Sequence, residues 1–339
     1  MSGPQLSQAL LQVEDLRVEI STRRGIVRAV DGVSLEVAAG EAVGLVGESG
    51  SGKSMSLRAI LGVLPPEATV TSGRVVLDGV DLLDLSKAQL NKIRGSKIAM
   101  IFQEPMSALN PVMRVGAQIA EGPLVHLGMN RAQAAQRAIE LMRRVGIPDP
   151  ERRFRSFPHE FSGGMRQRVM IAIALSCEPE LILCDEPTTA LDVTIQDQIL
   201  RLLARLCRES GTSLVFVTHD LPVVAQVCQR LAVMYAGQIV ERGTVQEVLT
   251  KPCHPYTLGL VRSAPDVDHV RSSLVPIPGS PPSLIHPPSG CRFHPRCKFA
   301  EEDCTTTEPP LRMIDADRAT ACLHFERCLD ELRTEGADL

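Results

Sequence analysis

The opening stretches of the chain alternate between apolar and polar residues, a pattern typical of strands that bury one face. Residues 10–20 and 27–37 both show this two-residue period, and Arg23-Arg24-Gly25 between them has the composition of a turn. Residues 43–46 are instead apolar throughout, which is typical of a strand buried on both faces at the centre of a parallel sheet. The pattern therefore predicts two strands joined by a turn, followed by a central strand.

Later in the chain, short apolar runs alternate with segments of helical period. Strands are predicted at residues 73–78, 97–103, 181–183, 214–217, 231–236 and 238–241. Helices are predicted at residues 55–64, 131–145, 193–209 and 221–228. Strands that alternate with helices indicate a doubly wound α/β core. Because residues 115–177 are helical in pattern, we expect them to be an insertion between the strand ending at Gln103 and the strand beginning at Leu181.

The composition changes after Gly243, where proline becomes frequent. Nine prolines lie between residues 252 and 288. Proline lacks a backbone N–H and breaks both helices and central strands, so a long helix or a large sheet is not expected here. The sequence predicts a boundary near Lys251 and, beyond it, a small appendage of low regularity.

Size and charge exclude several classes of protein. The 339 residues suffice for two or three domains, and a hydrophobic content of 44% suits a filled core. A net charge of -4, aromatics at 3% and no Trp argue against bulk nucleic-acid binding and against stacking platforms for single strands. No apolar run approaches the ~18 residues that span a bilayer, and the N-terminus has no signal-peptide pattern. We therefore expect a soluble, cytosolic protein.

One segment carries a phosphate-binding pattern. Residues 47–54 match G-x-x-x-x-G-K-[ST], with an apolar run before them and a helical segment after them. Glycines let such a loop turn its N–H groups inward, and the helix that follows adds its positive end. Lys53 is expected to reach the β- and γ-phosphates, and the Ser54 hydroxyl to hold Mg²⁺. Against a glycine-rich turn that matches by chance, the context favours a nucleoside triphosphate site made by Gly47, Ser49, Gly50, Ser51, Gly52, Lys53 and Ser54.

Carboxylates and other polar residues stand at the ends of later predicted strands. Asp185 and Glu186 end an apolar strand, so Asp185 is expected to hold Mg²⁺ and Glu186 to deprotonate the attacking water. Gln103 could sense Mg²⁺ and the γ-phosphate, and His219 could hydrogen-bond that phosphate. The alternatives are an exposed acidic pair and an ordinary surface glutamine, and neither Gln103 nor His219 would support the interpretation alone.

A second anion site is predicted at Ser162-Gly163-Gly164. These residues precede a helix expected over residues 165–175, and a helix N-terminus with exposed N–H groups attracts anions. A single nucleotide does not need two such anion-binding sites from the same chain. The second anion-binding site is therefore expected to contact the nucleotide bound by another subunit, so that ATP lies between two cassettes.

Together these segments resemble an ABC transporter ATPase subunit. Residues 47–54 resemble its Walker A, Gln103 its Q-loop, residues 162–164 its signature, residues 181–186 its Walker B, residues 190–192 its D-loop and His219 its switch histidine. The fold so implied is a P-loop NTPase ABC cassette of the α/β class, with a RecA-like core, an antiparallel β subdomain and an inserted helical subdomain. The cassette is expected over residues 8–250, with the helical subdomain at about 106–178, and a small Pro/Cys-rich C-terminal domain over residues 251–339.

Longer stretches narrow the resemblance to the dipeptide/oligopeptide/nickel importer branch. They are residues 48–54, 103–111, 161–165, 254–257 (His-Pro-Tyr-Thr) and 277–282 (Ile-Pro-Gly-Ser-Pro-Pro). Two departures accompany it. Met165 stands where most ABC proteins carry Gln, a variant common in this branch. Ile20 occupies the position of the usual adenine-stacking aromatic, so that adenine would receive an apolar contact without π-stacking.

Eight of the ten cysteines fall into two groups of four. Cys177, Cys184, Cys207 and Cys228 lie in apolar periodic segments and are interpreted as small core residues. The tail contains Cys291-x5-Cys297-x6-Cys304-x17-Cys322, without the close C-x2-4-C pairs of zinc sites. In a reducing cytosol such a cluster indicates metal more often than disulfides.

The importer branch suggests which metal this is. In some members a [4Fe–4S] cluster is held on such cysteines, which implies the same for Cys291, Cys297, Cys304 and Cys322. Structural Zn²⁺ and unligated thiols or disulfides remain alternatives, with Cys328 or Cys253 as rival ligands. In either metal case the role is expected to be structural, and the ATP site is expected to be built entirely before Lys251.

The resemblance implies an ATPase subunit that powers peptide uptake across the cytoplasmic membrane. The implied partners are a second, related ATPase subunit, two transmembrane permeases and an extracytoplasmic solute-binding protein. Residues 104–120 would form the docking groove, and the protein would lie peripherally on the cytoplasmic face. The alternatives are an importer of nickel or another small solute, a non-transport ABC ATPase acting on DNA or ribosomes, and a regulatory subunit with little turnover.

Overall fold

The structure, a computed structural model, describes residues 9–189, 191–263 and 276–334. Its first part consists mainly of strands: β1 (Ala9–Thr22), β2 (Gly25–Ala38), β3 (Ala42–Val46), α1 (Lys53–Leu61), β4 (Ala68–Leu77), β5 (Val80–Asp81), α2 (Lys87–Ile93) and β6 (Ile98–Ile101). The middle is mainly helical: α3 (Pro105–Ala108), α4 (Val115–His126), α5 (Arg131–Arg144), α6 (Pro150–Arg153), α7 (Gly163–Ala174), β7 (Leu181–Asp185) and α8 (Val193–Ser210).

The last part returns to short strands and helices. It contains β8 (Ser213–Thr218), α9 (Leu221–Val227), β9 (Arg230–Tyr235), β10 (Gln238–Thr244), α10 (Val245–Thr250), α11 (Pro255–Ser263), α12 (Glu302–Thr306), β11 (Arg312–Met313), β12 (Ala319–Thr320) and α13 (Glu326–Thr334). The alternation of strands and helices predicted from the hydrophobic pattern is confirmed, with element ends that differ by a few residues.

The chain divides into two compact units. The first unit comprises Val37–Ala42 and Asp78–Phe216, together with the described residues of the N-terminal segment up to Leu10. The second unit comprises Leu11–Glu36, Val43–Leu77 and the described residues from Val217 onward. Each unit is therefore made of segments that lie far apart in the sequence.

Two sheets organise the second unit. In one, β1 lies between β2 and β4, and β1 pairs antiparallel with β4 from Leu11↔Leu77 to Ile20↔Ala68. In the other, the strand order is β11-β12-β10-β9-β3. Strands β3 and β9 are parallel, with Val46 opposite Val233, so that their carboxyl ends emerge at the same edge. The segment that follows β3 therefore begins beside the end of β9.

The first unit combines parallel strands with the predicted helical insertion. Strands β8, β7 and β6 are neighbours in that order, and β6 pairs parallel with β7 from Ile98↔Leu181 to Ile101↔Cys184. Helix α5 begins at a capping box between Asn130 and Gln133, which satisfies N–H groups that a helix start leaves unpaired. Its apolar face is buried, as the sequence predicts, through Ala134, Ala138, Leu141 and Met142.

Four cysteines behave as core residues. Cys177, Cys184, Cys207 and Cys228 are all buried, and burial raises the pKa of the Cys207 thiol to about 12. A thiol that stays protonated in an apolar site packs as a small hydrophobe. The interpretation of this first cysteine group is therefore confirmed.

The appendage beyond residue 251 is more regular than the prolines suggest. Helices α11 and α13 each contain nine residues, and β12 pairs antiparallel with β10 through Glu241↔Thr320 and Arg242↔Ala319. An edge strand leaves a row of N–H and C=O groups unpaired, and β12 supplies partners for those of β10. The appendage thus continues the sheet of the second unit, although its strands have only two residues each.

None of the helices in the described part of the chain is both long enough and apolar enough to cross a membrane.

Candidate nucleotide site and cysteine cavity

The phosphate-binding pattern lies in the second unit as a loop between β3 and α1. Two of its glycines are required by close backbone approach. A Cβ atom at Gly47 would overlap the carbonyl oxygen of Met234, and one at Gly52 would overlap that of Ala29. Gly52 also has a φ of 107°, in the left-handed region that other residues rarely adopt. Because α1 begins at Lys53, the loop ends at a helix N-terminus, which favours an anion.

The polar groups of this loop point inward. The Lys53 ammonium is buried and donates to the carbonyl oxygens of Gly47, at 2.7 Å, and Glu48, at 3.0 Å. The Ser51 hydroxyl is buried and has no hydrogen-bond partner among the described residues. A buried hydroxyl without a partner is costly, and a phosphate oxygen would satisfy it. Together with the N–H groups of the loop, these side chains fit a bound polyphosphate.

The outer side of the loop is held by the C-terminal extension, which the sequence did not predict. The Tyr256 hydroxyl accepts the N–H of Glu48 at 2.7 Å. The Arg296 guanidinium binds the Glu48 carboxylate through two hydrogen bonds, of 2.7 and 2.9 Å. The phosphate loop is therefore packed against residues beyond Lys251, while the residues predicted to bind ATP all precede it. Packing of the extension against the loop is a long-range contact, and nothing in the local sequence pattern reports it.

The predicted catalytic pair lies together in the first unit. Asp185 is buried at the end of β7, and Glu186 follows it with a φ of 45°. A non-glycine residue in the left-handed region is strained, a feature that clusters at functional sites. The Glu186 carboxylate accepts hydrogen bonds from the Gln103 side chain, at 3.4 Å, and from the Thr189 hydroxyl, at 3.0 Å. The structure thus places Gln103 beside the carboxylate predicted to be the general base.

The predicted second anion site forms the start of α7, also in the first unit. Ser162 is the N-cap, and its hydroxyl accepts the N–H of Met165 at 3.3 Å. Gly163 and Gly164 make the first turn, and a Cβ at Gly164 would contact the Ile195 side chain at 2.8 Å. Ser162 is exposed, so this helix start faces solvent in the single chain.

For the remaining predicted site residues, the structure gives a location but no contact that tests their predicted roles. His219 is exposed directly after β8, in the second unit. Ile20 is half-buried near the end of β1, where it pairs with Ala68. Of the predicted D-loop, Ala190 lies outside the described residues, whereas Asp192 is the N-cap of α8. Their roles stay predictions.

In the extension, the four tail cysteines line one small cavity, and none of the ten cysteines forms a disulfide. Burial raises the pKa of Cys297 to about 11 and that of Cys322 to about 12. The rival Cys328 is buried but is not among the described residues that line the cavity. Rival Cys253 is buried elsewhere, with its N–H donated to Glu241. The cavity therefore collects the donors expected from the sequence: Cys291, Cys297, Cys304 and Cys322.

Three histidines of the extension, His254 among them, also line this cavity, and no sequence motif places them there. His294 and His324 line it beside the cysteines. The ligand atoms of Asp303, Cys304 and His324 lie within 4.8 Å of one another, with His324 Nε2 3.0 Å from Asp303 Oδ1. Their spacing in the sequence, with 19 residues between Cys304 and His324, matches no short metal motif. Imidazole and thiolate together are typical zinc donors, so this group is a second candidate ligand set.

Comparison with known proteins identifies two regions of the chain. Residues 30–189 match the family model described as ABC transporter, and residues 240–304 match that described as oligopeptide/dipeptide transporter, C-terminal region. Among solved structures, the dimeric ATP-binding cassette MJ0796 in a post-hydrolysis state with ADP and Pi is 30% identical, with a TM-score of 0.63 over 69% of this chain and 98% of that one. The predicted cassette fold is therefore confirmed.

Curated relatives extend the likeness over nearly the whole chain. A probable peptide ABC transporter ATP-binding protein of Sinorhizobium fredii is 50% identical over 92% of this chain and 94% of its own length. The oligopeptide transport ATP-binding protein OppD of Salmonella typhimurium is 46% identical over 94% and 95%. The dipeptide transport ATP-binding protein DppD of Lactococcus lactis is 49% identical over 89% and 87%. The chain belongs to the ABC transporter ATP-binding proteins, in the branch that carries the oligopeptide/dipeptide transporter C-terminal region.

Proposed function

We propose that this chain is the ATP-hydrolysing subunit of an importer that carries short peptides across the cytoplasmic membrane. The observation that carries the proposal is the joint presence of a phosphate loop, a paired-carboxylate strand end and the oligopeptide/dipeptide C-terminal region in one chain. Relatives matched over about nine-tenths of the chain are named for peptide, oligopeptide or dipeptide transport. The nickel-importer and non-transport alternatives are not favoured by these names.

The side chains proposed to carry out ATP hydrolysis lie in the phosphate loop and at the end of β7. At the loop, Lys53 would neutralise the β- and γ-phosphates and Ser54 would bind Mg²⁺, with Asp185 as a further Mg²⁺ ligand through oxygen. Glu186 would take the proton of the attacking water, while the amide of Gln103 holds that carboxylate in place. Magnesium-bound ATP supplies the electrophilic γ-phosphorus. The proposal also places Ile20 at the adenine and His219 at the γ-phosphate. The remaining loop residues would surround the phosphates: Gly47, Ser49, Gly50, Ser51 and Gly52.

A second ATPase subunit would complete each site. The exposed start of α7 at residues 162–164 offers N–H groups and a hydroxyl that the chain's own loop does not require. Nearby in the same unit, Val193 is 83% exposed at the first position of α8, and a Cβ on Gly163 would be 3.5 Å from the Leu191 side chain. A helix start whose N–H groups the chain's own phosphate loop does not use favours the nucleotide of another subunit at this surface. We infer that the partner is a related, non-identical cassette.

Docking on membrane permeases is assigned to the segment after Gln103. Within the predicted groove at residues 104–120, Met106 and Val112 are exposed, Val112 to 83%, and Leu124, Val125 and Leu127 are exposed just beyond it. Five of the nine large apolar residues that are exposed in the described part of the chain thus fall within 22 residues of sequence. A segment with several exposed apolar side chains is typical of a protein interface. The proposal places it against a permease, which holds the subunit at the cytoplasmic face of the membrane.

The transport function can be tested by purification from native membranes. We expect a second cassette and two permeases to accompany this chain, and a peptide-loaded solute-binding protein to stimulate ATP turnover of the assembly. The chain alone should hydrolyse ATP slowly and in proportion to its concentration squared, because each site needs the signature of another cassette. Stimulation by a nickel-loaded binding protein instead would favour the nickel alternative, and full activity of a strict monomer would contradict the assembly.

The tail cysteines are proposed to hold a [4Fe–4S] cluster. Four thiols around one cavity are the donor set that such clusters use. The cluster would act as a staple, since a small proline-rich segment has little core of its own. Zinc on Cys304, His324 and Asp303 is the rival ligand set.

Anaerobic purification distinguishes the two. With the cluster, the protein should be brown, with broad absorbance near ~400 nm and about four irons per chain. Replacing Cys291, Cys297, Cys304 or Cys322 by serine should bleach it, and Cys328→Ser should leave the colour intact. Colourless protein with about one zinc, lost on His324→Ala, would support the rival. Colour lost on Cys328→Ser but kept on Cys322→Ser would identify a different fourth ligand.

A further inference from the structure

The peptide group between Gly47 and Glu48 is held at both ends. Its carbonyl oxygen accepts a hydrogen bond from the Lys53 ammonium, at 2.7 Å, and its N–H is donated to the Tyr256 hydroxyl, at 2.7 Å. The C=O and N–H of a trans peptide point in opposite directions, so these two contacts fix the orientation of its plane. The orientation of this peptide plane determines the course of the phosphate loop and the position of the Lys53 ammonium.

The side chain of the same residue is held as well. Arg296 is 4% exposed and grips the Glu48 carboxylate with both terminal nitrogens, while its Nε donates to the Pro278 carbonyl oxygen at 2.8 Å. The Glu48 ion pair raises the pKa of Arg296, which therefore stays charged. A planar two-point pair specifies geometry as well as charge. Glu48 is thus anchored to the extension through backbone and side chain.

The side chain of Tyr256 is held by its own packing. Tyr256 is fully buried, and its ring packs at a tilt against those of Tyr235 and Phe293, with ring centroids 4.5 and 5.5 Å away. Its N–H is donated to His254 Nδ1 at 3.1 Å, and burial lowers the pKa of His254 to about 3, so that the ring stays neutral and can accept. Both tyrosines of the chain lie at this one place, although aromatics are scarce elsewhere.

A third contact holds the turn beside the loop. The buried Arg292 is paired with Asp31 on β2 and donates to the Ala236 carbonyl oxygen at 2.5 Å. The next residue, Gly237, donates its N–H to the Ser51 carbonyl oxygen at 2.9 Å. The extension therefore reaches the loop directly at Glu48 and, through one intervening turn, at Ser51.

We propose that Tyr256 and Arg296 are positioning residues for nucleotide binding, through which the C-terminal extension holds the phosphate loop in its binding shape by way of Glu48. Both residues act through their hydrogen bonds to Glu48. The inference rests on the nucleotide site proposed at this loop. It makes the extension part of the ATPase machinery rather than an independent appendage, and it ties the cysteine cavity to the loop, because Phe293 and Pro255 line that cavity beside these anchors.

The test uses the full chain and the dissociation constant for MgATP. Tyr256→Phe removes one hydroxyl, and Arg296→Met removes the two-point grip. Each should weaken MgATP binding roughly tenfold, a usual size for coupling between sites. Arg296→Lys should give an intermediate loss, because it keeps the charge but not the fork. The double variant Glu48→Gln/Arg296→Met should bind no more weakly than Arg296→Met, since both changes remove the same contact.

The matched control is Arg262→Met, which breaks an ion pair with Glu331 in the same extension and leaves the loop contacts in place. It should lower the thermal midpoint without changing the dissociation constant more than about twofold. If Tyr256→Phe and Arg296→Met behave like this control, the proposal is overturned. Should Arg296→Met fail to fold, Tyr256→Phe decides alone. Failure of the wild-type chain to bind MgATP would instead contradict the nucleotide site itself.

Discussion

Replacing Glu186 by glutamine is expected to lower ATP turnover by about 10²–10⁴-fold while MgATP still binds, the range for loss of a general base. Glutamine has nearly the same shape and can keep the contacts with Gln103 and Thr189, but it cannot take a proton from water. The strained φ of 45° remains in the variant, so its stability should change little. Turnover of the assembled transporter and nucleotide affinity of the chain are the two measurements.

Glu180→Gln provides the matched control. Glu180 directly precedes the same strand, β7, at its other end and pairs with Lys97 at 3.2 Å. The same chemical change there should leave turnover within about twofold, because exposed ion pairs contribute little. If Glu186→Gln retained turnover within a fewfold of the wild type, the general base would have to lie elsewhere.

Replacing Gly52 by alanine is expected to abolish high-affinity nucleotide binding. The added Cβ would overlap the Ala29 carbonyl oxygen, and the residue would keep a φ that alanine disfavours. Overpacking of this kind costs about 1–3 kcal/mol, which corresponds to roughly 5–150-fold in affinity if the loop relieves the overlap by turning its N–H groups away from the phosphates. The dissociation constant for MgATP and the thermal midpoint should both be measured.

Gly79→Ala separates backbone strain from the steric overlap. Gly79 has a φ of +77° in the turn between β4 and β5, but a Cβ there would meet nothing within 4 Å. It should therefore lower stability by about 1 kcal/mol through strain alone and leave nucleotide affinity unchanged. Equal losses of affinity in the two variants would mean that the loop does not depend on close packing at Gly52.

The local chemistry of this protein follows from its sequence. A glycine pattern between an apolar strand and a helix specifies a phosphate loop by short-range geometry, and the structure confirms both flanking elements. Carboxylates placed after an apolar strand are delivered to a sheet edge, as Asp185 and Glu186 are at the end of β7. The grouping of the four tail cysteines around one cavity agrees with the expected metal site, since in a reducing cytosol clustered cysteines indicate metal more often than disulfides.

What the sequence left open depends on contacts between distant residues. The pairing of β12 with β10, and the grip of Tyr256 and Arg296 on Glu48, join segments separated by about 80 to 250 residues. Hydrophobic period and motif spacing report only near neighbours, whereas these contacts depend on how the extension folds back onto the second unit. The proline-rich composition predicted a loosely organised appendage. Only the tertiary structure placed its tyrosine and arginine against the phosphate loop, because burial of their rings and charges requires partners that the appendage does not itself contain.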